Sequence, residues 1–140
     1  MKKCAIIFLL LFCSIMLSQT IPAPILEVKI FSEIQYVSAT DYAKGCDIKY
    51  VFIDKKDKLL IQYEAKKIII SPNSSYITIN DIVYNLSIPT IYDGSNFWIP
   101  VNSFLKIINI TDLPDFKLDS SEKFILLNPP STNIIKCNIE

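Results

Sequence analysis

The chain has 140 residues, with 14 basic residues balancing 14 acids and no histidine. Every basic residue is Lys, so the bidentate Arg contacts that read phosphates and guanines are missing, which argues against nucleic-acid binding. The lack of His removes the commonest general base and metal ligand, and the usual partner of a Ser or Cys nucleophile.

Lys2 and Lys3 give a positive start, and residues 5–17 are apolar except for Ser14. Small and polar residues follow at Ser18, Gln19 and Thr20, completing the three-part pattern of a secretory signal peptide. The apolar run is shorter than the ~20 residues a bilayer-spanning helix needs, so cleavage near Ser18 is expected and a signal peptide over 1–18. Phe12 before Cys13 is too bulky for a lipidation box. Losing Lys2 and Lys3 leaves 12 Lys against 14 acids, a net charge of −2. The remaining length suits one domain with its own core, and a composition 51% hydrophobic excludes disorder.

Strands are expected at Val28–Phe31 and Ile34–Val37. Ser38 and Asp41 then have the spacing of a helix capping box, and Gly45 is expected to close that helix in the left-handed conformation. From Ile48 to Ile53, Ile48, Tyr50 and Phe52 alternate with Lys49, Val51 and Ile53, the period of a strand. A charged turn at Asp54 to Lys58 leads into a strand at Leu59 to Tyr63. Hairpins follow: Ile68 to Ile70, a break at Ser71 to Ser74, then Tyr76 to Ile79 and Ile82 to Leu86 around Asn80-Asp81. Thr90 to Tyr92 and Asn96 to Ile99 flank Asp93-Gly94, where Gly tolerates positive φ. Pro100 fixes φ at the start of a second helix carrying Val101, Phe104, Leu105 and Ile108. Asn109 to Asp115 is expected as a loop. Strands at Phe116 to Leu118 and Lys123 to Leu127 follow. Pro129-Pro130 marks a boundary, and 129–140 reads as a linker and the start of a further strand.

The chain repeats itself. Tyr36-Val37-Ser38-Ala39-Thr40-Asp41-Tyr42-Ala43-Lys44 aligns with Trp98-Ile99-Pro100-Val101-Asn102-Ser103-Phe104-Leu105-Lys106 at an offset of 62 residues. The charged turn and strand from Asp54 to Ile61 align with Asp119 to Leu126 at an offset of 65. The expected architecture is therefore α+β and β-rich: short hairpins with two short helices in a duplicated strand–helix–hairpin unit.

No cofactor or metal site stands out. Cys46 and Cys137 survive leader removal; a bridge between them and two separate thiols both stay open. Asp112, Asp115, Asp119 and Glu122 supply oxygen ligands of the kind calcium takes, but without the alternating Asp and central Gly of a calcium loop, so a solvated loop is expected. Tyr92, Phe97 and Trp98 flank the Asp93-Gly94 hairpin and are the candidate ligand contacts, because exposed rings there would stack on sugars. Trp98 shares a repeat position with Tyr36, which favours a core place set by the fold.

The run Asp93-Gly94-Ser95-Asn96-Phe97-Trp98-Ile99-Pro100-Val101, preceded by the Asn80-Asp81 turn and followed by a short helix, resembles the copper amine oxidase N-terminal-like domain family. The resemblance covers 27–128. Ser38 stands in the first copy where that pattern has Pro, and the helix after Pro100 lacks the usual Arg and Gly. The resemblance implies a secreted, non-catalytic module of the bacterial cell envelope or periplasm, without copper, binding peptidoglycan or another envelope protein and staying off the membrane after cleavage. Such modules often precede N-acetylmuramoyl-L-alanine amidase domains. The alternative is thus the non-catalytic N-terminal part of a peptidoglycan hydrolase whose catalytic domain lies beyond Glu140.

Overall fold

A computed structural model describes residues 25–53, 55, 57–118, 120 and 124–127, the last four by backbone alone. The expected signal peptide at 1–18, the expected linker at 129–140, Cys137, Asp119 and Glu122 lie outside the described residues. Among the described residues no helix is long and apolar enough to cross a membrane.

The chain enters as β1 (Ile25–Phe31) and turns back as β2 (Ile34–Ser38). The turn residues Ser32 and Glu33 both take positive φ, which matches the twist of a two-residue hairpin. Helix α1 (Ala39–Gly45) follows, and Ser38 caps it by accepting from the Asp41 amide at 3.2 Å. Gly45 is not the left-handed residue expected at its end; Asp47 is, at φ 54°. The helix runs one residue further and closes by a Schellman pattern, with Ile48 N donating to Ala43 O and Asp47 N to Lys44 O. Asp tolerates this conformation better than most side chains, so Gly45 is not needed for it.

Next come β3 (Lys49–Ile53), β4 (Lys58–Tyr63), β5 (Lys66–Ile70), β6 (Tyr76–Ile79) and β7 (Ile82–Asn85), which pair in that order as one antiparallel five-stranded sheet. Asn80 and Asp81 both have positive φ in the two-residue turn between β6 and β7, as expected. The remaining strands are β8 (Ile91–Tyr92), β9 (Phe97–Pro100), β10 (Phe116–Leu118) and β11 (Phe124–Leu127). With β1 and β2 they form a second antiparallel sheet in the order β10-β11-β1-β2-β9-β8. Helix α2 (Val101–Thr111) leaves β9. It is longer than expected, because residues 109–111 continue it rather than starting a loop. Thr111 is buried and its hydroxyl donates to Ile107 O, and Asp112 ends the helix at φ 51°. The fold is thus α+β and β-rich.

One core joins both sheets and both helices. Val37, Phe97 and Ile99 meet Leu59, Ile61, Ile68, Ile70, Ile77 and Ile79 with Tyr42, Val101, Phe104 and Ile108. Burying each large apolar side chain is worth ~1.5–3 kcal/mol. At its centre β2 and β9 pair so that Val37 faces Ile99, Tyr36 faces Pro100 and Ser38 faces Trp98. Tyr42 and Phe104, one from each helix, meet edge to face at 5.2 Å.

The two strand–helix segments diverge after their helices. The β3–β4 hairpin joins the five-stranded sheet, whereas β10 and β11 join the six-stranded one.

Candidate functional site

The β8–β9 connection carries the rings singled out in the sequence. Its turn centres on Gly94-Ser95, one residue later than the expected Asp93-Gly94. Asp93 N donates to Asn96 O, and Gly94 takes φ 95°, where a side chain would be strained. Asp93 organises the turn: Oδ1 accepts from Ser95 N, Ser95 Oγ and Asn96 N at 2.8–2.9 Å, and Oδ2 accepts from Trp98 Nε1 at 2.7 Å. The donors from the Asn96 and Ser95 backbone, with those from Trp98 and the Ser95 hydroxyl, hold this carboxyl well below the usual carboxylate range.

Trp98 and Tyr36 are equally buried, each 3% exposed. They stand apart from the main core, since alternation along the strand sends Phe97 and Ile99 to one face of the sheet and Trp98 to the other. There Phe31 meets Tyr36 and Trp98 edge-on at 5.4 and 5.8 Å, and Lys29 Nζ lies 4.3 Å over the Trp98 ring. Tyr36 anchors the cluster by donating to Pro89 O. Phe97 is fully buried, tilted against Tyr92 and Phe52. Of the three rings, Tyr92 alone reaches the surface, and its hydroxyl donates to Gly94 O. The hairpin divides them between its two faces: Tyr92 packs beside Phe97 on the core side, and Trp98 is covered on the other side by Phe31 and Lys29.

The starts of the two helices differ. At α1, Ser38 supplies the cap, the Ser38 and Thr40 hydroxyls are 3.0 Å apart, and Thr40 Oγ1 donates to Asn96 Oδ1 at 2.7 Å. This latch ties α1 to the β8–β9 turn. At α2 the N-cap is Pro100, which makes no side-chain cap bond. The matched residues are Asn102 in place of Thr40 and Ile34 in place of Asn96, both at the offset of 62. Here an open groove of about 420 Å³ separates the β1–β2 hairpin from α2, lined by Glu33, Gln35, Asn102 and Ser103 with Ile34 and Ile88. That volume falls within the range of small-ligand sites. The sequence did not single out these residues. They are of ordinary type and come from three separate stretches, which only the β2–β9 pairing brings together.

The groove holds one carboxylate, Glu33, and neither Cys nor Lys among its lining residues. Glycoside hydrolysis ordinarily uses two carboxylates across the bond. Cys46 is buried and free, and burial pushes its thiol up to about 11, so it is protonated at neutral pH. Burial also raises Tyr42, whose hydroxyl donates to Pro114 O at 2.6 Å. Among the described residues no three of His, Cys, Asp and Glu gather as a metal site would require. Within the acidic stretch, Asp112 O accepts from Lys66 Nζ and Asp115 Oδ1 from Phe116 N.

No family model, no curated protein and no solved structure matches the chain.

Proposed function

We propose that the chain is an exported, non-catalytic module of the cell envelope that holds a polar wall polymer in the groove at the start of α2. The observation that carries this reading is the groove's lining. Amide and hydroxyl side chains beside a few apolar ones suit the hydroxyls, amides and ring faces of a glycan or its peptide, and one carboxylate without a basic partner suits binding better than bond cleavage. The signal-peptide pattern supports export.

We further infer that β2–α1 and β9–α2 are copies of one duplicated element, as in the copper amine oxidase N-terminal-like family that the sequence resembles. Two features support it. The β2–β9 register sets each residue opposite its counterpart's mirror position, with Val37 on Ile99 at the centre. The matched Tyr42 and Phe104 touch each other. This is how two like units meet about a two-fold axis.

Co-sedimentation of the chain from Gln19 onward with purified peptidoglycan sacculi tests the function. Binding should be saturable and should weaken when Asn102→Ala and Glu33→Ala are combined. Absence of binding, or binding indifferent to both changes, would remove the groove as the site.

A further inference from the structure

Among the described residues Ile25 and Ile30 are exposed on β1 and Val51 on β3, and the other exposed large apolar side chains gather around β7. Of the large hydrophobic side chains most open to solvent, Ile82 (58%) and Val83 (63%) lie on β7, Tyr76 (54%) lies beside it on β6, and Ile110 (72%) faces outward from α2. Strand β7 ends the five-stranded sheet, and among the described residues nothing pairs with its other side. The phase of the β6–β7 hairpin decides which of its main-chain groups are open. Leu86 N donates to Ser75 O at 2.7 Å, so 75 and 86 form a hydrogen-bonded pair. Alternation then makes Ile77 with Tyr84 and Ile79 with Ile82 bonded pairs, and turns the N–H and C=O of Val83 and Asn85 away from β6.

Other sheet edges are guarded. Strand β10 carries Lys117 at its middle, β3 opens with Lys49, and β8 is two residues long. Charge and shortness are the usual protections against edge pairing. Strand β7 reads Ile-Val-Tyr-Asn, with no charge and no Pro.

We propose that β7 is a self-pairing edge, at which two copies of this chain join antiparallel about a two-fold axis at Tyr84 and merge their five-stranded sheets. The edge is its own complement. Its open groups sit on Val83 and Asn85, one residue either side of Tyr84, so an identical antiparallel strand sets Val83 opposite Asn85 in both directions and satisfies all of them. The same register brings Asp81 of one copy opposite Ser87 of the other. Ser87 lines a hollow of about 300 Å³ between β7 and α2, which also carries Lys106 and Ile110. The Asp81 carboxylate of each copy thereby approaches the Lys106 ammonium of the other, and no ion pair within the chain engages either group among the described residues. Ile110 and Ile82 lie on the covered side. A contact of this extent belongs with transient interfaces below about 1,200 Å², so association depends on concentration.

Sedimentation equilibrium on the chain from Gln19 onward should give a mass that rises from monomer towards dimer with concentration. Hydrogen exchange should show the Val83 and Asn85 amides gaining protection over the same range, while those of Ile82 and Tyr84, bonded within the hairpin, do not change. Val83→Lys, and Val83→Pro, which removes an outward N–H without breaking a β6–β7 bond, should each weaken association by about tenfold or more. Asp81→Lys should also weaken it, and adding Lys106→Asp should restore it. A chain that stays monomeric at every concentration, or Val83 and Asn85 amides whose protection ignores concentration, overturns the proposal. So does a dimer indifferent to the Val83 changes and the charge swap.

Discussion

Trp98→Ala separates a buried role for this ring from a ligand-binding one. The side chain is 3% exposed and packs on Phe31, with Lys29 over its face and its Nε1 bonded to Asp93. Deleting a large buried aromatic costs ~3–5 kcal/mol. The orphaned Asp93 oxygen adds little, because that carboxylate is exposed and takes up water. A domain of this size holds ~5–15 kcal/mol in total, and with a urea slope of ~1–3 kcal/mol/M the midpoint should fall by more than about 1 M. Trp98→Phe keeps an aromatic ring and loses the Nε1 bond, so its midpoint should lie between those of wild type and Trp98→Ala. The assay is equilibrium urea unfolding followed by far-UV circular dichroism, which does not depend on the lost tryptophan. An unchanged midpoint in Trp98→Ala, together with lost binding to sacculi, would refute the packing argument and make Trp98 a ligand platform.

The Asp93 carboxyl titrates below its unfolded value, so its stabilisation is present above about pH 3.9 and is lost as pH falls towards the depressed folded value. Asp93→Asn should flatten that acid limb in a stability–pH series. Tyr42 has a raised folded pKa, so its contribution is present below about pH 10 and is lost as pH rises beyond it; Tyr42→Phe should reduce the alkaline loss and, by orphaning the Pro114 carbonyl, cost ~1–3 kcal/mol at neutral pH in the same urea assay. Cys46, buried and held protonated, should resist iodoacetamide at pH 8 in the folded protein and react once urea unfolds it, as read by peptide mass spectrometry; rapid labelling of Cys46 in the native state would contradict its burial.

Local chemistry made much of the fold legible. The alternation of Ile48, Tyr50 and Phe52 gave β3 its inward face, Asn80-Asp81 gave a tight turn, and Ser38 gave a helix cap. Misreadings came where a neighbour outweighed a residue's own preference. Gly45 looked like a helix terminator, yet the left-handed position fell to Asp47. Gly94 holds the positive φ expected of it, but the side chain of Asp93 drew three donors onto one oxygen and moved the turn centre forward. Helix α2 outran its expected end because Thr111 is buried and bonds back to Ile107. The pairing of β11 with β1, which carries β10 and β11 into the six-stranded sheet, joins residues far apart in sequence, and local periodicity carries no information about it. The groove was hidden for the same reason.

The groove nevertheless has a cause that can be traced in the sequence once the β2–β9 pairing is known. Three matched positions differ: Ser38 against Pro100, Thr40 against Asn102, and Asn96 against Ile34. The first member of each pair builds the latch over α1, and the second member leaves α2 unlatched. Ile34 has no polar side-chain atom, Pro100 has no side-chain oxygen to cap with, and the longer Asn102 is exposed instead of buried. Restoring the polar set by Ile34→Asn, Pro100→Ser and Asn102→Thr should therefore draw the β1–β2 turn onto α2. A side-chain N-cap is typically worth ~1 kcal/mol, which offsets the lost rigidity of Pro100, so thermal stability should hold or rise while binding to sacculi falls. A triple variant that folds, shows protected Asn102→Thr and Ser103 amides, and still binds sacculi as wild type does would place the ligand elsewhere on the surface.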